Sequence, residues 1–248
     1  MKEMKHQFTH HNFTELIKTL KKSGYNFLGF PLARENLKVG KSFCLLRHDV
    51  DYDLYKALEL AEIENEMGVA ATYFFLLSTK KYNLLEKSST KAVKAILALG
   101  HKLGLHFDCA EYPHYNSPEE LTQACQQEIN IVETWFKSRV DAVSFHNPPP
   151  NVLESPDAFE MQVPHTYLPI YTQEITYVSD SCGEWKYGHP TSLKAFKDKK
   201  PLHILMHPIW WNKQHCGALQ VLARHLNKVT VDYQQNMARE SRIYKADL

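Results

Sequence analysis

The sequence predicts an α/β fold, a parallel sheet or barrel flanked by helices, and three features of the chain point to it. Residues 43–46, Phe-Cys-Leu-Leu, and 69–77, Val-Ala-Ala-Thr-Tyr-Phe-Phe-Leu-Leu, are uncharged, mostly apolar runs that suit strands buried on both faces. Between them Leu54, Ala57, Leu58 and Ala61 recur at helical spacing until Gly68 breaks the pattern. A strand, a helix and a strand within about 35 residues form one βαβ unit, so the sheet is parallel at least there. The alternation then continues down the chain, with polar groups where strands end, the position at which parallel folds collect ligands and catalytic groups.

Taken in order, residues 12–23 read as a helix. Asn12 followed by Glu15 makes a capping box, Phe13, Leu16, Ile17 and Leu20 share a face, and Gly24 is a stop. Residues 25–41, with Pro31, form an irregular lead-in. After the βαβ unit, 89–99 is helical, 101–108 strand-like, 118–135 a long helix and 142–146 a strand. Six prolines between 148 and 169 break the alternation with long loops of the kind that carry function. Residues 202–209 restore a buried strand, and a helix at 217–226 closes the fold, leaving the last dozen residues polar and loose. Residues 1–248 are read as one domain with a helical lead-in over 1–40.

Composition narrows the function. The chain has 248 residues, enough for one large core, and its 29 basic and 28 acidic residues leave no basic block for nucleic acid. No apolar run reaches the roughly 20 residues of a membrane helix, and the first residues lack the apolar core of a signal peptide, so the cytoplasm is the expected compartment. Five scattered cysteines with no Cys-x-x-Cys pair argue against a disulfide framework and a thiolate zinc site. The chain is organised around Arg47-His48-Asp49-Val50-Asp51, where a buried strand ends in charge. Asp49 and Asp51 are two apart, so on an extended backbone both face one cavity, where one carboxylate can hold a cation while the other acts as a base. The plainer alternative has Asp51 or Asp53 capping the next helix and Asp49 paired with Arg47. Strand-end groups recur at His106, Asp108, His146, Asp180 and His207, a carboxylate and imidazole set suited to zinc or a similar divalent ion.

These motifs, in this order, resemble the polysaccharide deacetylases of carbohydrate esterase family 4, nearest the branch of lipopolysaccharide and capsule biosynthesis proteins. The resemblance rests on Arg-His-Asp-Val-Asp, Ala-Thr-Tyr-Phe-Phe, Gly-His-Lys-Leu-Gly-Leu-His-Phe-Asp, Ser-Phe-His-Asn-Pro-Pro and Leu-Met-His-Pro-Ile-Trp-Trp, covering residues 43–211. It implies a distorted (β/α) barrel of about seven parallel strands. The implied activity is metal-dependent removal of an N- or O-acetyl group from a sugar. Asp49 then matches the catalytic base, Asp51 and His106 match metal ligands, and His207 matches the general acid toward the leaving group. Asp180, with Trp185 nearby, matches the group that orients a catalytic histidine. The family's second metal histidine is replaced by Ala110. His146, standing where the family places an arginine against the base, is the expected substitute, with the following proline run holding its backbone extended. His101 and Asp108 are the alternatives. Trp210 and Trp211 are expected to wall a sugar site. The implied substrate is a nucleotide sugar, a lipid-linked glycan or a polymeric glycan. The rivals are hydrolysis of another C–N bond, of the ureide or imide type, and a degenerate glycan-binding member.

Overall fold

A computed structural model of the chain describes residues 7–115 and 117–245. Helix α1 (His10–Lys22) precedes the short β1 (Asn26–Phe27) and α2 (Ala33–Lys38). Then come β2 (Phe43–Val50), α3 (Leu54–Glu66), β3 (Thr72–Leu76), α4 (Lys87–Ala98), β4 (Lys102–Asp108), α5 (Pro118–Phe136) and β5 (Val140–His146). Within the proline-rich stretch lies α6 (Pro150–Glu154), and past it come β6 (Thr176–Ser179), α7 (Lys194–Lys197), β7 (Leu202–Met206) and α8 (Ala218–Glu240). The seven strands form one sheet in the order β5-β4-β3-β2-β7-β6, with β1 beside the start of β2, and the strand pairs are parallel. With its flanking helices it is a distorted (β/α) barrel. Among the described residues no helix is long and apolar enough to cross a membrane.

Strand β2 is buried along all eight residues because both its faces meet a core. Its even positions Cys44, Leu46 and Val50 join the large cluster between sheet and helices. Its odd positions Phe43 and Leu45 join a smaller interior cluster with Phe30, Phe74, Ala142 and Tyr171. Period-two alternation thus carries the same face from apolar Phe43 and Leu45 to charged Arg47 and Asp49 at the carboxyl end. Interior space is tight at Gly104, where an added Cβ would lie 2.6 Å from the Phe74 ring. Gly104→Ala is therefore expected to destabilise the protein by about 1–3 kcal/mol in chemical denaturation. An unchanged midpoint would show that Phe74 can move aside.

Local signals differ from expectation at both ends. Helix α1 starts two residues early, because Thr9 is its cap and its hydroxyl accepts from the Asn12 amide. Asp53, not Asp51, caps α3, accepting from the Tyr55 and Lys56 amides. The closing helix runs to Glu240 rather than ending at 226, so the first four residues of the expected loose tail are helical and 241–245 are not; residues 246–248 lie outside the described residues. Val221 is its buried residue, so the distal turns have no core-facing stripe to announce them.

The helix α5 carries a buried carboxyl, Glu128, with the Tyr112 hydroxyl donating to it. Burial pushes its pKa up from 4.5 to about 7 against that hydrogen bond, with Asp108 and Glu111 adding to the rise. Between these values the folded chain holds a proton that the unfolded chain has released, so stability falls as pH rises from about 4.5 to about 7. Glu128→Gln is expected to flatten this slope in denaturation midpoints measured across that window. An identical slope in the variant would assign it to other groups.

Candidate metal centre and active site

The parallel register lines up the polar strand ends. His106 pairs with Ser144 and Asp108 with His146 across β4 and β5, and His48 pairs with Met206 across β2 and β7, which brings His207 level with Asp49. Asp51, His106 and His146 each turn a ligand atom into one small volume, within 4.8 Å of one another. His106 Nε2 is 3.1 Å from Asp51 Oδ1, His146 Nδ1 is 3.5 Å from the same oxygen, and the two ring nitrogens are 3.1 Å apart. His106 Nδ1 donates to the Ser144 carbonyl, so in the neutral ring the Nε2 lone pair faces the cluster. Asp51 Oδ1 is buried and accepts no well-directed hydrogen bond. Burial alone would raise the Asp51 pKa, but the facing His106 and His146 rings hold it well below the usual carboxylate value. One unmet carboxylate oxygen and two imidazole nitrogens converging in this way are a donor set that fits a zinc-like divalent ion.

Asp49 stands next to this cluster but is held differently. Arg47 Nε and Nη2 donate to its two oxygens at 2.7 and 2.6 Å, so the salt bridge weighed in the sequence is present. The Arg47 guanidinium is itself held by Thr166 at 2.9 Å and by the Ser144 hydroxyl. Both residues are 2% exposed. Burial would raise the Asp49 pKa; the Arg47 charge beside it, with His106 and His207, lowers it.

His207 and Asp180 form a second unit. Asp180 is fully buried and accepts from His207 Nδ1 at 2.7 Å, from the His207 amide at 2.9 Å and from Trp211 Nε1 at 2.8 Å. His207 Nε2 points toward Asp51, 3.9 Å from Oδ2. Burial works to lower the His207 pKa, but the Asp180 hydrogen bond and the charges of Asp180, Asp51 and Asp49 raise it to about 9.

Several expected neighbours lie elsewhere. His101 is buried in the helical layer, where its Nε2 donates to the Ala61 carbonyl and its Nδ1 accepts from the Ala71 amide. Asp108 accepts from the Ala110 amide in a 3-10 turn. Trp185 does not hold Asp180; it packs with Phe8, His189 and Trp211, and the indole on Asp180 is that of Trp211. Trp211 and Trp210 are 1% and 8% exposed, so they fill the core beside the site instead of offering faces to a sugar. The backbone after His146 is not extended throughout. Asn147 has φ 44°, a left-handed conformation that asparagine tolerates, and its amide group lies 3.2 Å from His146 Nε2. Sequence reasoning missed Ser144 and Thr166. Ser144 shares a strand face with His146, a period-two signal that was available, whereas Thr166 lies in the irregular stretch and gives none.

No family model and no curated protein matches the chain. Among solved structures the fold is similar to a CE4 family pseudoenzyme from Bacillus anthracis, at 18% identity, TM-score 0.43, over 77% of this chain and 62% of that one. It is also similar to the Streptococcus pyogenes deacetylase PplD in complex with acetate, at 15% identity, TM-score 0.44, over 78% and 79%. The chitin deacetylase from Colletotrichum lindemuthianum has 14% identity and TM-score 0.47 over 76% and 82%. The chain thus spans less than two thirds of the pseudoenzyme.

Proposed function

We propose that the chain is a metal-dependent hydrolase that removes an N- or O-acetyl group from a sugar of surface-polysaccharide or lipopolysaccharide synthesis. The observation that carries this is the convergence of Asp51, His106 and His146 between two differently held proton-transfer groups, Asp49 and His207. The three residues would hold a divalent ion, zinc by preference, which when bound supplies Lewis acidity toward the acyl carbonyl and a water molecule.

The chain's own residues do the rest. Asp49, kept ionised and aimed by Arg47, takes the proton of the attacking water. Asp180 fixes the His207 ring through Nδ1, leaving Nε2 to carry a proton, and the buried Asp180 carboxylate favours the charged ring that gives that proton to the departing amine or alcohol. His207 is unsuited to being a fourth ligand in this scheme, since a ligating nitrogen must be free of its proton.

One observation favours a second reading, a member that binds glycans without turnover: both Asp49 oxygens are engaged by Arg47 and the carboxylate is 2% exposed. Metal analysis of the purified chain together with acetate release from acetylated sugars separates the two. A stoichiometric divalent ion and acetate release are expected. Bound metal without acetate release from any sugar tested would favour the binding protein, and absence of both would remove the metal site.

A further inference from the structure

Cations also gather at the start of α3, the helix that follows Asp51. A cavity of about 120 Å3 lies between the start of α3, the segment after β7 and α8, and Lys56, Arg224, His225 and Lys228 border it, with Asp53 as its carboxylate. It shares Asp53, His225 and Lys228 with a groove of about 670 Å3 that begins at Tyr52, the residue after Asp51. Tyr52 lines the groove, where its ring meets the His225 ring edge-on at 5.8 Å and Lys81 Nζ sits 4.5 Å from its centre, and His225 borders both spaces.

The charges there are not balanced within the cavity. Lys56 pairs with Glu59 and Lys228 with Asp232, but Asp53 Oδ1 is spent on the α3 amides. Among the described residues Arg224 has no carboxylate partner, and its Nη1 faces Cys216 Sγ at 2.7 Å. His225 Nδ1 is buried, makes no hydrogen bond and stands 3.7 Å from Asp53 Oδ2. An unpaired guanidinium, two lysines and an unmet imidazole nitrogen around a cavity of this size match a phosphate group, whose several oxygens accept from a planar guanidinium in pairs and from ammonium groups singly.

Resting on the hydrolase reading above, we propose that this cavity binds the phosphate or diphosphate of the substrate, which makes the substrate a sugar phosphate ester with its acyl group directed at Asp51. The groove beyond, with the rings of Tyr55, Tyr82 and Tyr233, takes what the phosphate is attached to.

The test uses the full chain without added metal. Calorimetric titration is done with inorganic pyrophosphate, a nucleoside diphosphate, a prenyl diphosphate and glucuronic acid. Alkylation of Cys216 by iodoacetamide is followed by peptide mass spectrometry, with exposed Cys182 as internal control. Pyrophosphate is expected to bind and, at about ten times its Kd, to slow Cys216 alkylation about tenfold while leaving Cys182 unchanged. Arg224→Ala combined with Lys228→Ala is expected to weaken binding at least about tenfold, and Arg224→Lys to weaken it less. Both side chains are exposed, and an unchanged melting temperature shows that the variant is folded. Tighter binding of the nucleoside or the prenyl compound identifies the attached group; equal binding supports the phosphate contact alone. Unprotected Cys216, unchanged binding in the double variant, or glucuronic acid binding as well as pyrophosphate overturns the proposal. A chain supplied with zinc that releases no acetate from any sugar tested yet binds pyrophosphate through Arg224 and Lys228 would sink the hydrolase and leave the cavity standing. An active deacetylase that binds no phosphate would do the reverse.

Discussion

Replacing Asp51 with alanine is expected to strip the divalent ion from the purified chain, whereas Asp49→Asn is expected to leave the ion bound and to lower turnover by about 10²–10⁴. The division follows from how the two carboxylates are held. Asp51 has an unmet oxygen facing His106 and His146, while both oxygens of Asp49 are occupied by Arg47. An asparagine at 49 keeps the volume and one acceptor but cannot take a proton from water, so the loss falls on the chemical step. It also leaves Arg47 buried without its counter-charge, a loss on the order of 3–5 kcal/mol when one partner of a buried pair is removed, so the variant's melting temperature is measured beside its activity. Metal content by elemental analysis and acetate release decide the matter. Equal metal loss in the two variants would refute the assignment of separate roles.

The other large effect is on stability and comes from behind the same strand. Glu64 is fully buried; its Oε1 is 2.7 Å from His48 Nε2, and Tyr73 donates to its Oε2 at 2.7 Å. His101 Nδ1 lies 3.5 Å from that second oxygen. Glu64→Ala strands His48 and the Tyr73 hydroxyl in the dry layer between β2, β3 and α3, and is expected to cost about 3–5 kcal/mol. Glu64→Gln keeps an acceptor for Tyr73 and should cost less. A loss below about 1 kcal/mol in urea denaturation of the alanine variant would mean that water enters and takes over both hydrogen bonds.

The strands were readable because their signal is local. The runs 43–46, 72–76 and 202–206 are buried on both faces, and a run of apolar residues is the pattern such burial selects. The distal turns of α8 were not, because pairs such as Lys228 with Asp232 occupy positions where an apolar stripe would otherwise mark a helix. Site positions followed from strand ends and period two, which is why Asp51, His106, His146 and His207 meet although the sequence scatters them. Side-chain partners were harder. Trp185, five residues after Asp180, is the partner that sequence proximity suggests, whereas Trp211 is 31 residues away and reaches Asp180 only because β6 and β7 pair and the segment after β7 turns back to it. The capping question divided in the same way: Asp53 took the helix and Arg47 took Asp49, leaving Asp51 for the cluster.

Asp180 also couples parts of the chain that share no chemistry. The carboxylate that orients His207 is gripped on its other side by the Trp211 indole, and that indole is wedged between Phe13 of α1 and Phe8 just before it. The aim of His207, the proton donor of the proposed scheme, is therefore set through Trp211 by two rings at the beginning of the described chain. Both rings meet the indole directly and edge-on, so a shift of the segment that carries Phe8 and Phe13 is passed through the single residue Trp211 to Asp180 and from there to the His207 ring.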